Sequence, residues 1–288
     1  MISFIILQYN LYEKTIESIK SIEKFSEIDY KIVVVDNHSS NDAYKIICDK
    51  YRMNDNVYVI QTIRNLGFAK GNNFGINFAK EKFKTRYYFV INNDIYLNNN
   101  LTFNTIEKWD YLNFDVMGPD IWRLDTQEHQ NPLPKVHYNL AWLYTYYVIY
   151  KIYEILNILY LDSILHKLAI WALNTINRKK NSQVIINEIQ EVSKLHGSAL
   201  VFSDRFIEKF RSPFNELTFM YLEEDFLALR CLRSKAKVIY FPETQVLHDH
   251  GSTVTKITQN NHIKRKYIFK NNSDSFKNLI KYYKSKEI

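Results

Sequence analysis

Phe89-Val90-Ile91-Asn92-Asn93-Asp94-Ile95-Tyr96-Leu97 decides how this chain is read. The apolar run from Tyr87 to Ile91 has the length and bulk of a buried strand, and it stops at three small polar residues ending in one carboxylate. In open α/β sheets, ligands sit beyond the carboxyl ends of the strands. Asp94 is therefore placed where a hard divalent cation on a phosphorylated ligand could be held. Asn-Asn-Asp is also good turn chemistry, so the neighbouring elements must decide.

Upstream, Ile2–Tyr9 reads as a strand, Leu11–Phe25 as an amphipathic helix through Ile16, Ile19 and Ile22, and Lys31–Val35 as a β-branched strand. That second strand ends in the polar burst Asp36-Asn37-His38-Ser39-Ser40-Asn41-Asp42. Val57–Ile60 is a third strand. Arg64-Asn65-Leu66-Gly67-Phe68-Ala69-Lys70-Gly71-Asn72 then opens a helix running to about Phe83, whose first N–H groups suit an anion. Strands alternating with helices predict a doubly wound, mainly parallel sheet.

Composition narrows the partners. The 288 residues fit one large α/β domain or two small ones, and the formal charge of +7 favours nucleotides, diphosphates or acidic lipid. No nucleic-acid-binding motif accompanies that charge. Cys48 and Cys231 have no metal-ligand spacing and suggest a reducing compartment. The apolar start lacks the basic region of a signal peptide, and no run of about 18 apolar residues occurs. The expected location is cytoplasmic, with any membrane attachment peripheral, on the inner face of the plasma membrane.

Downstream, Phe114–Gly118 reads as a short strand, followed by a polar loop from Asp125 to Pro134 containing His129-Gln130-Asn131. From Tyr138 to about Ile176 the pattern is an amphipathic helix with a wide aromatic face, broken near Asp162-Ser163 and resumed through Trp171. Such an insert packs as a hairpin on its own domain or docks on a bilayer or partner, and Arg178-Lys179-Lys180 suits an anionic membrane. A homo-oligomer interface is open to it as well. Leu195–Phe202 returns to sheet character, and Asp204–Phe210 is a short helix. Glu223, Glu224 and Asp225 crowd the start of another helix, where the dipole favours them and mutual repulsion raises at least one pKa. Lys237–Phe241 and Gln245–Leu247 are read as two strands leading to His248-Asp249-His250-Gly251-Ser252. The tail is basic and partly amphipathic, by default a solvated terminal helix, with an anchor on an anionic membrane as the sharper alternative.

Taken in order, Gln8-Tyr9-Asn10, Val34-Val35-Asp36-Asn37 with Ser39-Ser40, Asn65-Leu66-Gly67-Phe68 with Gly71-Asn72, and Asn92-Asn93-Asp94 form one set of motifs. His196-Gly197-Ser198-Ala199, Phe219-x-Tyr221-x-Glu223-Glu224 with Arg230, and His248-x-x-Gly251-Ser252 continue it. Together they resemble family 2 glycosyltransferases of the GT-A fold, nearest the bacterial rhamnosyl- and galactosyltransferase-like branch that builds surface polysaccharides. The resemblance implies a GT-A domain over 1–252, a doubly wound mixed α/β sheet with a Rossmann-like nucleotide-binding half, interrupted by the helical insert 137–192 and followed by the basic helical tail 253–288.

It also implies an activity: inverting transfer of a sugar from a UDP- or dTDP-linked donor to a lipid-linked or polysaccharide acceptor. Tyr9, Asp36, Asn65, Gly67, Asn72, Asn93 and Arg230 would line the nucleotide sugar. Asp94, with His248 or His250, would hold Mg²⁺ or Mn²⁺ on the diphosphate, with Asn92 standing where the family carries its first acid. The base would be Glu224 of the Glu223-Glu224 pair. Phe226 replaces an acid common in relatives, so a one-residue shift would make Asp225 the base. A catalytically silent GT-A module, recruited through its aromatic helices, is the alternative. A nucleotidyltransferase lacks support, because Gln8-Tyr9-Asn10-Leu11-Tyr12 stands where its Gly-rich basic loop belongs.

Overall fold

Ile32, Val33, Val34 and Val35 are each fully buried, because a sheet covered on both faces gives no side chain an outward direction. The computed structural model describes residues 1–135, 137–161, 187–249 and 261–285. Strands β1 (Ile2–Gln8), β2 (Tyr30–Asp36), β3 (Val57–Gln61) and β4 (Tyr87–Asn92) pair in parallel, in the spatial order β3-β2-β1-β4. Helices α1 (Tyr12–Phe25), α2 (Ala43–Tyr51) and α3 (Gly67–Lys82) connect them. Alternate residues serve two layers. Phe4, Ile6, Ile32 and Val34 pack with Ile19 and Ile22 of α1, whereas Ile5, Val33 and Val35 pack with Ala69, Ile76 and Ala79 of α3. Full burial of each such aliphatic side chain contributes roughly 1.5–3 kcal/mol.

Beyond β4 the sheet becomes mixed. β9 (Ala199–Ser203) runs antiparallel to both β4 and β6 (Val116–Arg123), β10 (Val238–His248) lies parallel to β6, and β5 (Ile95–Leu97) closes the edge. Two short strands lie off this path: β7 (Glu128–His129) pairs with β6, and β8 (Gln190–Glu191) with β10. Helices α4 (Phe103–Leu112), α5 (Leu140–Ile158), α6 (Asp204–Lys209), α7 (Glu223–Ser234) and α8 (Asn261–Ser285) complete the described elements.

Two expected breaks are not breaks. The strand expected to stop at Gly118 runs on through Pro119 to Arg123, and the two strands expected after Lys237 are one. The register between β6 and β10 jumps from Pro119↔Phe241 to Asp120↔Gln245. The extra residues of β10 bulge out opposite the proline, whose missing N–H would leave that part of the ladder unpaired in any case.

The tail also differs from a solvated helix. Phe276, Leu279, Ile280 and Tyr282 of α8 bury against Leu143 of α5 and against Phe226 and Leu229 of α7. Tyr146 and Tyr150 stack on Phe276, each with ring centroids 5.6 Å apart, and Tyr153 stacks on Phe269 at 5.1 Å. The aromatic face of the insert thus has the tail as its partner. The opposite face of α5 keeps Leu140, Tyr144, Val148, Ile152 and Ile155 exposed. The expected break at Asp162-Ser163, the helix through Trp171 and the Arg178-Lys179-Lys180 cluster lie outside the described residues. Among the described residues no helix is long and apolar enough to cross a membrane.

Candidate active site

Parallel pairing sets the ends of β1, β2 and β4 along one edge, so Gln8, Asp36 and Asn92 are neighbours. The buried Asp36 carboxylate accepts from Gln8 Nε2, from Ser39 N at 2.9 Å, from Ser39 Oγ at 2.6 Å and from Gln61 Nε2 at 3.0 Å. It therefore knots three strand ends together and shapes the turn that follows β2. Tyr9 is half-buried beside this knot, between Gln8 and an Asn10 whose N–H donates to Ser39 Oγ.

Asn65 Oδ1 accepts from Asn37 Nδ2 and from Gly67 N. Gly67 has φ +78, and a Cβ there would lie 2.2 Å from Phe219 O. Only glycine lets the start of α3 seat against the loop that leads to the acids. Asn72 is almost fully buried, and its Oδ1 has no hydrogen-bond partner. Asn93 turns instead toward α1, donating from Nδ2 to Leu11 O at 3.2 Å, so it fastens that helix to the turn after β4.

Asp94 follows in the same turn and is 6% exposed, with Oδ1 wholly buried and unbonded. His248, the last residue of β10, brings Nε2 to 3.5 Å from that atom. Its other ring nitrogen, Nδ1, lies 2.5 Å from Gln130 Oε1. Asp249 donates its N–H to Asp94 O and pairs with Lys14, whose ammonium that hydrogen bond holds well above its ordinary pKa. The donor set is one carboxylate oxygen and one imidazole nitrogen, both buried. Such a set fits a hard cation such as Mg²⁺ or Mn²⁺, which Asp94 and His248 would hold and which would supply positive charge to a phosphorylated ligand. Among the described residues no three His, Cys, Asp or Glu side chains gather as a metal cluster. His250 lies outside the described residues.

The acids are delivered by a sharp corner. Tyr221 and Leu222 both take left-handed backbone, at φ 73 and 66, immediately before α7. Non-glycine residues held this way cost of order 1–3 kcal/mol each and persist where surrounding contacts enforce them. Here α8 supplies those contacts: Ser275 Oγ donates to Met220 O at 3.0 Å and Asn278 Nδ2 to Leu217 O at 2.7 Å.

The corner gives the acids three different surroundings. Glu223 is buried, and burial, then the Glu224 charge, pushes its carboxyl up to about 8. Glu224 is half-buried, its Oε1 3.3 Å from Gly197 N at the entrance to β9. Asp225 Oδ1 accepts from Lys194 Nζ and from Tyr138 OH, both at 2.6 Å. It is thereby committed as a structural ion pair, while burial and that carboxylate raise the Tyr138 phenol far above its ordinary range. Arg230 donates to Ser212 O and Pro213 O and packs on Phe210, so its guanidinium anchors a loop.

Glu223 has a measurable signature. Its folded carboxyl keeps a proton up to about pH 8, whereas an unfolded Glu releases it near 4.5. Between those values the unfolded state binds fewer protons, so stability falls as pH rises, by up to about 5 kcal/mol across the window. Glu223→Gln is expected to melt with wild type below pH 4.5 and several degrees higher above pH 8. Parallel melting curves at every pH would show that Glu223 holds no such proton.

A short run of contacts leads from the Asp94–His248 pair toward Glu224. The rings of His248 and His196 are 6.0 Å apart, and Gly197, next in the chain, touches Glu224. Sequence reasoning missed Gln130 and Lys194. The first stood in the His129-Gln130-Asn131 loop with nothing to mark it, and the second lies 31 positions from the acid it pairs. It also missed Tyr267 of α8, whose phenol is pushed up to about 12 by burial and by Glu223 and Tyr9 nearby.

Known proteins share this fold. The structure of TarS 1-349 from S. aureus in complex with UDP superposes with a TM-score of 0.56 at 14% identity, over 86% of this chain and 60% of that one. GalNAc-T7 with UDP, GalNAc and Mn²⁺ gives a TM-score of 0.57 at 14% identity, over 87% of this chain and 43% of that one. At such identity the likeness is one of fold, and this chain spans three fifths of the TarS fragment or less. No curated protein matches the sequence. The model of the family described as Glycosyl transferase family 2 matches residues 3–168, more than half of the chain. By that match, on this fold, the chain belongs to glycosyl transferase family 2.

Proposed function

We propose that this chain is an inverting glycosyltransferase of the hexosyl or rhamnosyl type. It moves a sugar from a UDP- or dTDP-linked donor to a hydroxyl of a lipid-linked or polysaccharide acceptor in bacterial surface glycan synthesis. The observation that carries the reading is Asp94 Oδ1, a buried carboxylate oxygen with no hydrogen-bond partner, 3.5 Å from His248 Nε2 at the strand ends. A buried acceptor left bare costs about 1–3 kcal/mol, more when charged, and a ligand that meets it returns that energy. The UDP bound by TarS and the UDP and Mn²⁺ bound by GalNAc-T7 supply the analogy.

Asp94 and His248 would hold Mg²⁺ or Mn²⁺, which when bound supplies positive charge to the departing diphosphate. Glu224 Oε2 takes the proton of the acceptor hydroxyl as that oxygen attacks the sugar from the face opposite the leaving group. Glu223, neutral at pH 7, keeps the negative charge of the pair on Glu224. Asp225, tied to Lys194 and Tyr138, holds α7 in place. Tyr9, Asn65, Gly67 and Asn72 line the nucleoside side.

A second reading, a catalytically silent module docking on a membrane or partner, is favoured by the bare apolar stripe of α5 and the +7 charge. Both readings place the chain at the inner face of the membrane. They separate on chemistry. UDP- and dTDP-sugars incubated with the protein and Mn²⁺ are expected to release nucleoside diphosphate from at least one donor, above an EDTA control. Binding of every donor with release from none would favour the silent module.

A further inference from the structure

We infer that the α5–α8 pair is a docking surface for an anionic lipid bilayer, to which α5 offers an apolar stripe and α8 an adjoining row of lysines. This deepens the membrane placement given above and stands whether or not the chain transfers sugar. Leu140, Tyr144, Val148, Ile152 and Ile155 of α5 are all exposed. At 3.6 residues per turn they fall within about 120° of one another and run roughly 22 Å along the helix. The aromatic side of α5, stacked on Phe276 and Phe269 of α8, lies opposite.

The charge comes from α8. Lys266, Lys270, Lys277, Lys281 and Lys284 are exposed along it, and helical geometry sets all five within about 60° of one another. Asp274 is the one acid of this helix against seven Lys and Arg, whereas Lys151 and Glu154 cancel on α5. Nearly all of the chain's +7 therefore sits on α8. The two rows adjoin. Lys284 Nζ donates to Tyr144 OH at 2.8 Å and lies 5.2 Å from the centre of that ring. Further along, Glu154 Oε2 accepts from Ser273 Oγ at 3.0 Å, and Ser273 stands between Lys270 and Lys277 in the chain.

This is the chemistry of a helix pair lying in an interface. Aliphatic side chains enter the hydrocarbon boundary, while lysine stems lie along apolar surface and carry their ammonium groups to the lipid phosphates. A second copy docked on the same face about a two-fold axis would set one lysine row against the other, whereas an anionic bilayer neutralises the row. The same helix holds the corner before Glu223 through Ser275 and Asn278. Bilayer contact and the proposed acceptor side thus share one element, as suits a lipid-linked acceptor.

The test sediments the whole chain with phosphatidylcholine vesicles prepared with and without phosphatidylglycerol. Wild type is expected to bind the anionic vesicles at least about tenfold more tightly, and to lose most of that preference near 1 M salt. Lys277→Gln/Lys281→Gln should weaken anionic-vesicle binding by about 10- to 30-fold, and Val148→Asp/Ile152→Asp should abolish it. Lys45→Gln/Lys50→Gln removes the same charge from exposed positions of α2 and should bind as wild type does. Circular dichroism checks that each variant is folded, and the lipid and salt comparisons on wild type need no variant. Equal binding to both vesicles, or equal loss in the α8 and α2 lysine pairs, overturns the proposal. So does a wild type that ignores vesicles, including one that dimerises in light scattering and becomes monomeric in Val148→Asp/Ile152→Asp. Nucleoside diphosphate release, measured without vesicles, reads the transferase assignment separately, so either reading can fail alone.

Discussion

Asp94→Ala is expected to remove the Mn²⁺-dependent part of the stabilisation that UDP gives this protein. A ligand at 100 times its Kd adds about 2.7 kcal/mol to the folded state, which in a chain of this size raises Tm by roughly 5–10 °C. Wild type should show that shift with UDP and Mn²⁺ together, and a smaller one with UDP and EDTA. In Asp94→Ala the two curves should coincide, because His248 alone offers the ion one neutral nitrogen. The unliganded variant should be no less stable than wild type, since the oxygen it loses is buried and makes no hydrogen bond. Differential scanning fluorimetry reads all four conditions. A variant that keeps the full Mn²⁺ increment would show that the ion, if bound, sits elsewhere.

Glu224→Gln carries the second large effect. The amide keeps the size and the contact with Gly197 N but cannot accept a proton from a hydroxyl. Removing a positioned general base costs about 10²- to 10⁴-fold in rate. That loss is expected in kcat, with the UDP–Mn²⁺ thermal shift intact, because the proposed function puts Glu224 at the acceptor hydroxyl and not at the nucleotide. Asp225→Asn should behave differently. It breaks a buried ion pair with Lys194 and weakens the bond from Tyr138, so the damage should appear in melting temperature. A kcat loss larger in Asp225→Asn than in Glu224→Gln, measured below both melting points, would move the base by one residue.

The parts of this molecule that could be read beforehand are those whose cause is local. Val33, Val34 and Val35 announce a strand buried on both faces, and Asn92-Asn93-Asp94 announces its end. Asp94 and His248 could be paired as candidates only through an ordered set of motifs, since neither residue alone separates a ligand from a turn or a core histidine; the structure brings the two within 3.5 Å. What escaped depends on distant pairing. Nothing in the spacing says that Asp225 will meet Lys194 and Tyr138, which makes it an anchor and isolates Glu224. Nor does the sequence around Asn93 say that its amide will be used by α1. Pro119 pointed to a strand end because the bulge that accommodates it lies on another strand, far along the chain. The tail looked solvated because its partner, the aromatic face of α5, also looked like a surface when read alone.

The reversed direction of β9 has a consequence for how such a protein can change what it modifies. Because β6 runs toward the end of the sheet that carries His248 and β9 runs away from it, the chain leaves and re-enters the sheet on the same rim. Among the described residues between them, α5 packs on α8 and leaves the parallel run β3-β2-β1-β4 uninterrupted. Lengthening or exchanging such an excursion costs only about 0.6 kcal/mol per doubling of loop length. On the proposed function, recognition of the acceptor can therefore drift by insertion and replacement while the parallel half proposed to hold the nucleotide sugar stays as it is.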